Sequence, residues 1–96
     1  MEKITLDFSY CKTWDDVHEE IRIKFDFPEW YGKNLSALWD LLHEYYVLDN
    51  EPTLITIVGS QKLPEDVYNI VFKKINDVVF ARVSEKAPNI KFEIIS

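Results

Sequence analysis

The stretch FPEWYGKNLSALWDLL, residues 27–42, decides how the chain is read. Pro28 disfavours helical geometry in Phe27 and Gly32 is free to adopt a positive φ, so FPEWYGK is expected to form a shaped turn that no helix runs through. Asn34 then offers a side-chain oxygen that can cap a following helix. In that helix Leu35, Leu38, Leu42 and Tyr45 or Tyr46 recur on an inward face, whereas Ser36, Asp40, His43 and Glu44 fall on a different, water-facing side.

Working outward toward the N-terminus, Thr13 supplies a second helix cap, with Asp15 and Asp16 placed where they complement the helix dipole. Trp14, Val17, Ile21 and Phe25 make one apolar stripe, which predicts a helix over residues 14–25. Before it, KITLDF (3–8) alternates as a short strand. Toward the C-terminus, residues 49–52 read as a turn and residues 54–58 as a strand buried on both faces. Pro64 suits the first turn of a last helix with Val67, Ile70, Val71, Ile75 and Val78 as its buried stripe, a helix that either runs to about residue 85 or breaks near Asn76 and Asp77. After Pro88 and Asn89, the alternation of Ile90, Phe92 and Ile94 gives a final strand. The order β-α-α-β-α-β predicts an α/β fold, a three-stranded parallel sheet packed with three to four helices. Right-handed crossovers make a central first strand the simplest arrangement.

The 96 residues suit a single domain, 1–96, with no second core. Seventeen acidic against 11 basic residues leave a formal charge of -6. That excess opposes direct nucleic-acid binding and anionic membranes, and is compatible with a basic partner or with simple solubility. Cys11 is the lone cysteine, which excludes an internal disulfide and a Cys-based zinc site; the adjacent Lys12 is expected to lower its pKa slightly. No metal and no cofactor are expected. Neither glycine sits in a phosphate-cradling loop, and no HExxH or GxSxG pattern occurs. His18 and His43 read as structural or solvated, so the chain is not read as an enzyme, and a hydrolase using Asp40 or His43 has little to support it. No basic and apolar leader pattern opens the chain, and its longest apolar run, residues 54–59, is too short to span a bilayer, so a cytoplasmic location is expected.

Residues 27–42 also resemble the barstar family of intracellular ribonuclease inhibitors. The matching positions are Pro28, Glu29, Trp30, Tyr31, Gly32, Asn34, Leu35, Ala37, Leu38, Trp39 and Asp40. The resemblance implies an inhibitor, an immunity protein or antitoxin, monomeric when free, that inserts its second helix and adjacent loop into the active-site cleft of a cognate basic ribonuclease or nuclease toxin. Asp40 aligns with the family's main inhibitory aspartate, and Trp30 stands where the family has a contact tyrosine. Trp39 either joins the contact or is half-buried and orients the helix. Tyr45 or Tyr46 matches a further aromatic contact, unless one of them closes the core. Asn34 lies within the matched signature. The departures are also specific. Ser36 replaces a second helical aspartate, and the family's acidic residue in the last helix finds only basic candidates, Lys74 or Arg82. Glu44 and Glu29 restore negative potential from other positions. These departures motivate an alternative, a barstar-fold interaction module with a non-nuclease partner or its own kind.

Overall fold

The computed structural model describes residues 2–48, 51–69 and 73–95. Three parallel strands, β1 (Glu2–Asp7), β2 (Thr53–Val58) and β3 (Ile90–Ile94), form one sheet in the order β1-β2-β3. The second strand is therefore central, and the expectation of a central first strand is not met. Side-chain charge accounts for the difference. Lys3, Asp7, Lys91 and Glu93 sit on β1 and β3, where charge protects a sheet edge, whereas TLITIV carries none and takes the position paired on both sides.

The second strand is also not buried on both faces. Thr53, Ile55 and Ile57 are buried, but Leu54, Thr56 and Val58 alternate with them as half-buried residues. Their neighbours in register, Lys3 and Lys91 beside Leu54 and Thr5 and Glu93 beside Thr56, are exposed. The helices thus cover one face of the sheet and leave the other to water.

On the covered face, Ile4, Leu6, Ile55, Ile57 and Ile90 meet the apolar stripes of the helices. Helix α1 (Trp14–Lys24) begins with a capping box: Thr13 Oγ1 accepts from Asp16 N at 3.2 Å, and Asp16 Oδ2 accepts from Thr13 N at 3.2 Å. Such a cap stabilises a helix by about 1 kcal/mol. Val17 and Ile21 face the core, and His18 is wholly buried beside them. Helix α2 (Leu35–Leu42) contributes Leu38, Leu41 and Leu42 and continues as a wider, π-wound segment, His43–Val47. Leu41 escaped the sequence reading, which took the inward face as a narrower stripe.

After a short 3-10 turn (Ser60–Lys62), α3 (Glu65–Val67) opens the last helical region, which closes with a π-wound segment (Ile75–Phe80) and α4 (Ala81–Lys86). The backbone keeps right-handed helical angles at Lys74 and Ala81, so it does not break at Asn76 and Asp77. It widens there instead. The extra residue in a π turn rotates the buried stripe: Ile75, Val79, Phe80 and Val83 point inward, and Val78, expected inside, is 49% exposed. Ile70 and Val71, and the first half of the turn at residues 49–52, lie outside the described residues. In β3, Ile90 is buried and Phe92 stacks on Phe80 with centroids 4.3 Å apart, but Ile94 is exposed.

Gly59 follows β2 with φ 76°, in the left-handed region. A Cβ there would lie 2.6 Å from Ser9 N, because the loops after β1 and β2 pass against each other. Gly59→Ala is expected to destabilise the fold by on the order of 1 to 3 kcal/mol, read as a lower urea midpoint with an unchanged m-value. An unchanged midpoint would show that the two loops separate freely.

Candidate partner-binding face

The turn before α2 is held from below by aromatic packing. Phe27 is buried and stacks on Phe25 at 5.4 Å, and Tyr31 is buried with its N–H donating to Pro28 O at 3.0 Å. The Tyr31 hydroxyl reaches back to α1 and lies 2.6 Å from His18 Nδ1. Trp14 packs edge-on to His18 at 4.3 Å and donates its Nε1–H to Lys33 O at 3.2 Å. Lys33 in turn pairs with Glu19 at 3.2 Å. Phe27 N–H donates to Arg22 O at 2.9 Å at the start of the turn, so the first helix grips both of its ends.

The expected positive φ at Gly32 is not observed. The left-handed residues are Asp26 (φ 59°), just past α1, and Lys33 (φ 51°), just before α2. Gly32 is small for another reason: a Cβ would come within 3.1 Å of Asn34 Nδ2, which donates to Gly32 O at 3.1 Å. Asn34 Oδ1 accepts from Ala37 N at 2.8 Å, so this one side chain closes the turn and caps α2.

From this support α2 and the turn present the predicted residues as follows. Ser36, Asp40 and Glu44 are exposed and recur at four-residue intervals along one side. The Asp40 carboxylate makes no hydrogen bond or ion pair among the described residues. Glu29 is exposed, and Trp30 is 74% exposed at the tip of the turn. Trp39 is half-buried, with its ring 5.8 Å from that of His43. The two tyrosines part company. Tyr46 donates its hydroxyl to Phe25 O at 3.0 Å and packs edge-on to that ring, closing the core, whereas Tyr45 remains more exposed against Phe27. Val78, expected inside, and Arg82, read only as a basic residue where the family has an acid, line a cleft beside Asp40 that the sequence did not reveal. The signal, a π turn, leaves no mark in a 3.6-residue periodicity.

Two further titratable groups are shifted by their burial. Burial pushes the Cys11 thiol up to about 11, with Glu20, Asp16 and Asp7 adding to the rise, so the expected lowering by Lys12 is not found. Burial also raises the Tyr31 hydroxyl above its usual range. Among the described residues no group of His, Cys, Asp and Glu is placed to hold a metal ion, and no helix is long and apolar enough to cross a membrane.

Known proteins resemble the chain at this level. The profile of the family described as "Barstar (barnase inhibitor)" matches residues 1–94. A protein of Bacillus subtilis (strain 168) named "Putative ribonuclease inhibitor YrdF" is 43% identical over 77 residues, covering 74% of this chain and 82% of the relative.

His18 gives the face a pH dependence in its support. Burial lowers its pKa to about 4; Lys33 adds to the fall, and Asp15 opposes it. Its Nε2 has no partner among the described residues. The folded state holds the imidazole neutral while the unfolded chain takes a proton near pH 6.5, so stability is full above that pH and falls as the pH approaches 4. Urea denaturation between pH 7 and pH 4 is expected to show a loss of about 3 kcal/mol from this residue. His18→Gln should flatten that slope, and an unchanged slope would assign the loss to other groups.

Proposed function

Because the chain belongs to the barstar family, we propose that it is a ribonuclease inhibitor that blocks a cognate basic ribonuclease or nuclease toxin by seating α2 and the preceding turn in the enzyme's active-site cleft. The observation that carries this reading is Asp40, a carboxylate exposed on a capped helix and free of internal partners. A ribonuclease cleft is lined with cations that hold phosphate. A carboxylate projected from a rigid element can take the phosphate's place and accept several charge-assisted hydrogen bonds. Its rigidity matters because the entropy of ordering the side chain's support is already lost on folding.

Around Asp40, Glu44 and Glu29 extend the negative potential, and Trp30 offers a flat aromatic surface of the type that anchors binding centres. Trp39 and Asn34 orient the helix. Tyr45 is the tyrosine available to a partner, and Ser36 contributes a hydroxyl where a second carboxylate would strengthen the grip. The net charge of -6 steers association with a basic enzyme, so binding is expected to be fast and to weaken with salt. The role is that of an immunity protein or antitoxin, acting in the cytoplasm as a single-domain monomer until it meets its target, without metal or cofactor and without contacting RNA or membrane.

Inhibition assays with barnase and with any ribonuclease captured by the tagged chain from its source cell test this directly. Asp40→Ala is expected to weaken inhibition by about 2 to 5 kcal/mol, a range that includes barstar interfaces and is carried over from them by analogy. The loss should shrink as salt rises. Undiminished inhibition by Asp40→Ala would place the site elsewhere, and capture of self-oligomers or of a protein without nuclease activity would favour an interaction module of another kind.

A further inference from the structure

Asp40 does not stand on an open helix face. It forms one wall, with Ser36, of a cleft of about 390 Å³ between α2 and the last helical region, whose opposite wall is Val78 and Arg82. Leu35, Trp39 and Val79 supply apolar surface within it. Arg82 is exposed, and its guanidinium makes no hydrogen bond or ion pair with Asp40 or with any other of the described residues. The cleft therefore carries an anion on one side and a cation on the other, not closed into an ion pair.

The π-wound segment Ile75–Phe80 is what builds the second wall. Its wider winding sends Val79 into the core at 3% exposure and turns Val78 out. Val78 and Arg82 lie one turn apart and line the cleft together. Val78 thereby adds exposed apolar surface to the wall that carries Arg82. π turns inside helices are frequent at functional positions, where they re-aim side chains in this way.

Resting on the inhibitor reading above, we propose that this cleft selects among ribonucleases by sign: Arg82 pairs with a carboxylate on the rim of the partner's cleft while Asp40 occupies the cationic centre. A uniformly cationic rim would face Arg82 with a like charge, and the apolar contact at Val78 would then have to form against that repulsion. A rim that carries one carboxylate beside the cations meets both walls of the cleft with opposite charge. Arg82 is thus a specificity-determining residue, acting against the wrong partner as much as for the right one.

The test uses catalytically inactive barnase displayed on yeast, with the rim positions of its cleft randomised, sorted in parallel against the wild-type chain, Arg82→Glu and Asp40→Ala. The wild type is expected to enrich Asp or Glu at one rim position at least tenfold over the unsorted library. Arg82→Glu should reverse that preference to Lys or Arg at the same position. The same residues enriched by both chains, or binders recovered by Arg82→Glu and none by the wild type, would overturn the pairing. Asp40→Ala separates this from the reading it rests on. If it recovers the same clones as the wild type, the inhibitory role of Asp40 fails; if it recovers none while the other two chains differ only as chance allows, Asp40 stands and the role of Arg82 falls. Circular dichroism of each variant controls for folding, and Arg82→Gln, which keeps size and loses charge, should show a weakened preference of the wild-type sign.

Discussion

The contact between Tyr31 and His18 is the interaction on which the presentation of α2 depends. It joins a loop residue to a helix in the core, at 2.6 Å and out of water, where a hydrogen bond is strong and a broken one is costly. Trp14 closes the arrangement by covering His18 and donating to Lys33 O at the far end of the turn. Immediately before Tyr31 stands Trp30, whose side chain has no comparable hold and is left in solvent. The turn is thus fixed at its feet and exposed at its tip. Asn34 carries the rigidity onward by capping α2, so Asp40 inherits its position from α1 through a chain of named contacts.

The rest of the fold serves this geometry by burying one side of everything. The sheet has a covered face and a wet face, and α2 likewise turns Leu38, Leu41 and Leu42 inward and Ser36, Asp40 and Glu44 outward. The last helical region packs beside α2 and widens into a π segment that sets Val78 and Arg82 across from Asp40. The surface proposed to bind a ribonuclease therefore has two halves of opposite sign. The acidic surplus of the whole chain draws a basic enzyme in from a distance, and the local pattern of charges in the cleft decides which enzyme remains bound.

Much of this was legible in the residues. The two helix caps, Thr13 and Asn34, the three strand runs and the turn around Pro28 each rest on local chemistry that a single sequence displays. The sheet order was legible too, though in a different signal from the one followed: the charges on β1 and β3 and their absence from β2 mark edge and centre more directly than crossover handedness does. Gly32 invited a conformational explanation and has a steric one. Val78 and Val79 exchange places because a π turn adds a residue that a regular period cannot anticipate, and the cleft facing Asp40 stayed hidden for the same reason. His18 read as structural and is so, but its bond to Tyr31 spans 13 residues and belongs to the tertiary fold.

Hydrogen exchange of the protein, free and saturated with a ribonuclease that it inhibits, tests most directly whether the turn and α2 form the binding surface. Added protection is expected in residues 29–44 and in residues 78–86, with little change in the strands, whose amides are already held by the sheet. Protection confined to the loops bordering the solvent-facing side of the sheet, with none in α2, would contradict it.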